Sequence, residues 1–169
     1  MSNESSAEIP FLRHTVAVLA YRAEKVLREW PADSAHYQVG AAARTPLQLG
    51  RHLGDLAEWA FALAFGDGQW RAAGGDDFGA EVQRFFHALE RLDRQLAEAG
   101  ALARPAGIVF QGPIADALTH IGQLAMLRGL CGNRVRPESY ARAEIMVGRV
   151  GIVQAQQRRD FDGDASALS

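Results

Sequence analysis

Apolar side chains recur every three or four residues through most of this chain, which is the spacing of amphipathic α-helices. The first such pattern starts near Pro10 and continues to Trp30, where Pro31 is expected to end the helix. Residues 1–9 carry no apolar period and are expected to be disordered. The first helix is therefore predicted to begin only at the proline.

The second helix has the clearest start signal in the sequence. Thr45 can cap the helix, Pro46 suits its first position, and Gln48 completes a capping box. The apolar stripe that follows is expected to end near Gly66, because the glycine-rich stretch 66–77 is typical of a loop.

Two further helical patterns follow this loop. A third helix is predicted from Phe78, with apolar residues on one face, and Gly100 is expected to close it. A fourth is predicted to start around Gly112 and Pro113 and to end near Gly132. Four helices of roughly 20 residues with modest connections predict an all-α fold, a four-helix bundle.

The chain after the fourth helix has a weaker pattern. Residues 133–155 are expected to form a short C-terminal extension, with a short helix around 138–146. The stretch 156–169 is polar and is expected to be a flexible tail. The bundle and its extension are thus predicted to form one domain over residues 1–155.

Composition narrows the classes of function. The chain has 169 residues, 48% hydrophobic and 22% charged, which is typical of an ordinary globular domain. A formal net charge of −2 argues against a nucleic-acid partner, and no apolar run approaches the roughly 20 residues that cross a membrane. The single cysteine, Cys131, excludes an intrachain disulfide, and the polar N-terminus lacks the order of a signal peptide. A cytoplasmic location is therefore expected.

The fourth helix carries the residues of greatest chemical interest. Between Pro113 and Leu127, Asp116 is the only charged side chain apart from the histidine, His120. A helix that is apolar nearly all round is expected to be buried. Its few ionisable groups must then be paired, hydrogen-bonded or bound to a metal.

Three residues can form a metal site in this bundle. Asp116 and His120 are four residues apart on one helix, so their side chains can converge, and His52 lies on the inward side of the second helix. Two imidazoles and one carboxylate suit a divalent ion such as Zn²⁺, Ni²⁺ or Fe²⁺, with open positions for water or substrate. A hydrogen-bonded histidine–aspartate pair in the core is the alternative that these residues leave open.

Two stretches, RTPLQLGRHLGDLAEWA and QGPIADALTHIGQLAMLRGL, resemble the signature regions of the DinB/YfiT-like superfamily. Members are four-helix bundles of up-down-down-up type that hold a divalent metal with three histidines. The resemblance places His52, within H-L-G-D, at the second-helix ligand position, and His120, within H-I-G-Q, at the last one. Asp116 stands where a further histidine is usual, and a carboxylate is still a competent ligand.

The resemblance implies a metal-dependent enzyme. Related proteins include thiol-dependent transferases, a thiol-dependent isomerase and hydrolase-like proteins, which suggests that the metal activates a water or a low-molecular-weight thiol. It identifies neither the small-molecule substrate nor a catalytic base. The alternative is a non-catalytic metal-binding or stress-response protein that keeps the bundle fold.

Three other residues have two interpretations each. Asp55 can orient the His52 imidazole from behind the metal site, or it can be a half-exposed carboxylate near the end of the bundle. Gln123 can line the cavity or satisfy a buried backbone group. Trp70, in the glycine-rich loop, can belong to the rim of the core or can stack on a ligand.

The fourth helix also has a side of small residues. Ala115, Gly122 and Gly129 recur every seven positions and permit close approach of another helix. Because the core and the metal stripe occupy the other sides, we expect a homodimer.

Overall fold

The four predicted helices are present in the computed structural model, which describes residues 5–157, and that range contains no strand. The helices bury one contiguous apolar core, so the all-α four-helix bundle is confirmed. The fourth helix is made of three consecutive segments, which are together called α4. The bounds are α1, Ser5–Leu27; α2, Pro46–Phe65; α3, Phe78–Glu98; and α4, Ala106–Val109, Phe110–Ile114 and Ala115–Leu130.

The first helix begins earlier than its apolar pattern indicates. Residues 5–9 are helical, so the prediction of disorder was wrong for them, while residues 1–4 lie outside the described range. Pro10 lies inside α1, where its missing N–H removes one backbone hydrogen bond near the start of the helix. The helix ends at Leu27, ahead of Pro31.

The second helix begins as predicted. The Thr45 hydroxyl accepts a hydrogen bond from the Gln48 N–H at 3.2 Å, and the Gln48 side chain accepts one from the Thr45 N–H at 2.9 Å. Pro46 occupies the first helical position, and α2 ends at Phe65. The capping box therefore satisfies two backbone donors at the helix start.

The last helix begins well before Pro113, contrary to the prediction. The segment Phe110–Ile114 is a π-helix with Pro113 inside it. Proline lacks an N–H, and in an α-helix its ring clashes with the carbonyl four residues earlier. The wider π turn accommodates the proline, so the helix continues through it.

Neighbouring contacts define the directions of the helices. Along α2 and α3, Gly50 lies beside Phe78 and Glu58 is paired with Arg91, so these two helices run parallel. A parallel pair needs a connection that returns along the bundle, and residues 66–77 provide it.

The other pairs complete the topology. His52 meets His120 while Trp59 meets Gly112, so α2 and α4 are antiparallel. The Arg128 side chain reaches the carbonyl of Val26, which brings the last turns of α4 and α1 together. The order is up-down-down-up, with α1 and α2 each packed mainly against α3 and α4.

The centre of the bundle is filled by leucine and phenylalanine. The most deeply buried of these side chains are Phe85, Phe86, Leu12, Leu19, Leu49, Leu53, Leu56, Leu89, Leu92, Leu96 and Leu124. Burying one such side chain contributes about 1.5–3 kcal/mol, so this core holds the helices that carry the polar site. No helix in the range 5–157 is long and apolar enough to span a bilayer.

The C-terminal extension packs on α1 and α3. The helix predicted around 138–146 is absent, and the described chain there has turns and irregular structure. The buried Glu138 carboxylate accepts hydrogen bonds from Tyr21 Oη at 2.8 Å and Lys25 Nζ at 3.0 Å. These side-chain bonds hold the chain to α1 without a helix, and Gly151 contacts Glu90 of α3.

Candidate metal centre

The three predicted ligand residues meet between α2 and α4. Nε2 of His52 lies 3.3 Å from Oδ2 of Asp116, and Nε2 of His120 lies 3.4 Å from Oδ1 of the same carboxylate. The two imidazole rings have their centroids 4.7 Å apart in an edge-to-face arrangement. One ligand atom from each of the three residues lies within 4.8 Å of the others.

These separations fit the geometry of a small divalent ion. With bonds of about 2.0–2.2 Å, two ligands of a tetrahedral ion lie about 3.3–3.6 Å apart. The distances from Asp116 to the two histidines fall in that range, although each runs to a different carboxylate oxygen. The cluster is therefore able to hold a metal with small side-chain movements.

The three side chains are unequally exposed. The His120 side chain is 10% exposed and that of His52 is 23% exposed, whereas that of Asp116 is 45% exposed. The imidazoles are thus sheltered by the bundle, and the carboxylate faces solvent. An ion held here would be bound by the two imidazoles from the bundle side and by Asp116 at the surface.

Gln123 contacts the ring of His120 on the side away from Asp116. Its Oε1 lies 2.8 Å from His120 Nδ1. In the tautomer with the proton on Nδ1, that nitrogen donates to Oε1. In the neutral ring, Nε2 then presents a lone pair to Asp116 Oδ1, which is also an acceptor. A metal ion between the two atoms, or a second proton on the ring, satisfies this arrangement.

The surroundings of the second histidine favour its neutral form. Burial lowers the pKa of His52, and the charges of His120 and Arg44 lower it further, against the opposing effect of Asp116. A neutral imidazole is the form that binds a metal. His52 is therefore able to bind an ion at a lower pH than an exposed histidine.

The rest of the last helix is less buried than its composition indicates. Thr119, Gly122, Met126 and Leu130 are exposed, so the prediction of a helix buried all round was wrong for the single chain. Only the side that bears His120 and the buried leucines faces the core. The small-residue side is open to solvent at Gly122.

Asp55 does not face the metal cluster, and both interpretations made from the sequence were wrong. The side chain is buried, and its Oδ1 accepts hydrogen bonds from Arg84 Nη2 at 2.9 Å and from the Ala73 N–H at 3.1 Å. The parallel arrangement of α2 and α3 brings Arg84 to this side of α2. Asp55 therefore anchors the 66–77 connection rather than His52.

Trp70 is the residue at this site whose contact the sequence pattern did not identify. Its ring centroid lies 5.4 Å from that of His52 and 5.7 Å from that of Trp59. The glycine-rich connection passes along α2, and this brings the indole over the histidine. The only signal in the sequence was a large aromatic residue within a loop of small residues.

Removing the Gln123 side chain tests its contact with His120. We expect Gln123→Ala to weaken binding of Zn²⁺ by roughly 10- to 100-fold, because an unsupported imidazole loses its tautomer and its orientation. Competition with a zinc-binding dye measures this. Gln123→Glu keeps an acceptor and should bind like the wild type, as should the exposed control Gln95→Ala. An unchanged affinity in Gln123→Ala would contradict this role.

The structure thus brings together His52, Asp116 and His120, places Gln123 against one of them, and places Asp55 elsewhere. Comparisons of this chain with protein-family models, curated proteins and solved structures found no match. The cluster itself is consequently the basis for the function proposed next.

Proposed function

We propose that this protein binds one divalent metal ion through His52, Asp116 and His120. The observation that carries the proposal is the convergence of these three residues, whose ligand atoms all lie within 4.8 Å of one another. With the proton of His120 on Nδ1, its Nε2 and the carboxylate oxygen 3.4 Å away are both acceptors, and a cation between them removes their repulsion. A lone histidine–aspartate hydrogen bond would instead require the proton to be on Nε2.

The ligand set favours a first-row metal. Two imidazoles and a carboxylate suit Zn²⁺ or Ni²⁺, and this combination with open positions is also the facial triad of non-haem Fe²⁺ enzymes. Compared with three histidines, the carboxylate adds one negative charge to the site. That charge is partly exposed, so the approach of a cation from solvent is favoured.

We further propose that the site is catalytic and that the chain is a member of the DinB/YfiT-like superfamily, acting in the cytoplasm on a thiol or a water. The ion, when bound, would lower the pKa of a thiol or water at an open position. Three features of the chain support this chemistry. Gln123 orients His120, the bundle shelters both imidazoles, and the exposed side of Asp116 leaves room for a ligand.

Metal content is the first test. Protein purified separately with Zn²⁺, Ni²⁺ or Fe²⁺ and then dialysed should retain close to one ion per chain, measured by elemental mass spectrometry. The loaded protein should then accelerate the reaction of a small thiol with an aryl chloride, in which a carbon–sulfur bond replaces carbon–chlorine. Protein that retains none of the three ions would refute the proposal. Retention without any acceleration would favour a binding protein.

The exposed side of α4 supports a homodimer. Met126 and Leu130 are more than half exposed, and they lie beside Gly122 and Gly129, which offer a flat surface for a second helix. We expect the wild type to be dimeric at micromolar concentration and Met126→Glu to be monomeric, as measured by size-exclusion chromatography with light scattering. Val153→Glu, on the C-terminal extension, should stay dimeric. A monomeric wild type would exclude this interface.

A further inference from the structure

The connection between α2 and α3 brings an aromatic side chain into contact with His52 of the metal cluster. Trp70 is 42% exposed, yet its ring contacts His52 at a centroid distance of 5.4 Å. On its other side it meets Trp59 edge-on, with the ring planes at 84°. The three rings form a continuous aromatic wall that starts at a metal ligand.

This wall is held firmly although it stands on a glycine-rich loop. The Trp59 indole N–H donates to the Gly68 carbonyl at 3.0 Å, and the Ala73 N–H donates to Asp55 at 3.1 Å. The backbone is therefore fixed on both sides of Trp70. The ring of Trp59 also lies against Gly112 of the π segment.

A half-exposed indole beside a metal ligand is suited to binding part of a substrate. Tryptophan is large and flat, loses little conformational entropy on binding, and attracts other rings through offset or edge contacts. Loop side chains that are fixed by a rigid scaffold are also the usual contributors to binding sites. Trp70 keeps part of its surface exposed while it contacts His52, whose side chain is itself 23% exposed.

We propose that Trp70 is a substrate-binding residue that selects molecules with a flat apolar body, such as an aromatic ring, next to their metal-binding thiol. This inference rests on the proposed metal site and names the class of substrate for it. The ion, when bound, would hold the thiol, and the ring of the substrate would pack on the indole of Trp70. Trp59 acts as a positioning residue that supports Trp70.

Thiol binding to the cobalt-loaded protein tests this choice of substrate. Co²⁺ replaces the native ion, and the thiolate-to-cobalt absorption band reports the dissociation constant of each probe. The probes are phenylmethanethiol and 2-mercaptoethanol, which share the thiol and differ in the ring. We expect Trp70→Ala to reduce the preference for phenylmethanethiol by roughly three- to tenfold, with little change for 2-mercaptoethanol. Trp70→Phe should keep most of the preference.

An exposed aromatic residue far along the chain from Trp70 provides the control for this measurement. Phe11→Ala removes another exposed aromatic ring, on α1, and should change neither probe. An unchanged preference in Trp70→Ala overturns the inference, and so does a loss confined to cobalt affinity, because Trp70 would then only cover His52. A protein that retains no cobalt, or that retains it without any thiolate band, overturns the proposed thiol chemistry and this inference with it.

Discussion

Replacing either histidine of the cluster with alanine is expected to abolish stoichiometric metal binding. Each change removes one of three protein ligands, and a mutation behind a ligand already weakens metal binding by about 10- to 100-fold, so loss of a ligand should exceed that. His52→Ala and His120→Ala should therefore retain far less than one ion per chain. Elemental analysis after dialysis measures this.

Thermal unfolding gives an independent measurement of the same prediction. A ligand present at about 1,000 times its dissociation constant stabilises the folded state by about 4 kcal/mol. Added metal should thus raise the Tm of the wild type and leave that of both variants unchanged. His14→Ala removes an exposed histidine of α1 and should behave like the wild type. Equal metal content in all four proteins would rule out this cluster as the site.

The largest loss of stability is expected from Arg84→Met. The Arg84 guanidinium lies between α2 and α3 and is paired with Asp55 at 2.9 Å and with Glu81 at 2.6 Å. Both carboxylates are buried, so removing the cation leaves them without their charged partner. Breaking a buried pair in this way costs about 3–5 kcal/mol. Urea unfolding should show a loss of that size.

Arg84→Met also tests whether Asp55 holds the 66–77 connection or belongs to the metal site. Asp55 binds the connection and not His52, so Arg84→Met should keep most of its metal affinity under conditions where it is folded. Arg94→Met changes an exposed arginine of α3 and should alter stability by less than about 0.5 kcal/mol. If Arg84→Met lost metal and kept its stability, Asp55 would belong to the metal site after all.

Local signals in the sequence predicted the features that depend on neighbours along the chain. The capping box at Thr45 and the four-residue spacing of Asp116 and His120 are of this kind, and both are present in the structure. The sequence also predicted His52 as the third ligand, because this residue lies on the apolar side of its helix. The helix predicted near Glu138 failed because a long-range bond to Tyr21 decides the conformation there.

The errors at Asp55 and Trp70 have one origin in the topology. Which helices run parallel cannot be obtained from apolar periodicity, and the parallel pair α2–α3 sets the path of residues 66–77. The parallel pairing brings Arg84 to Asp55, and the path of the connection brings Trp70 to His52. The exposed side of α4 was missed for a related reason, because an apolar surface is buried only if the bundle has a helix to cover it.

The π segment at Phe110–Ile114 has a consequence for how the chain tolerates insertions and deletions. One residue added to an α-helix rotates everything beyond it by about 100°. A π turn absorbs such a residue locally, so the buried Val109 before it and the buried His120 after it both keep facing the bundle. A chain one residue shorter at this point could have a regular helix and the same ligand geometry, whereas a deletion between Asp116 and His120 would separate them.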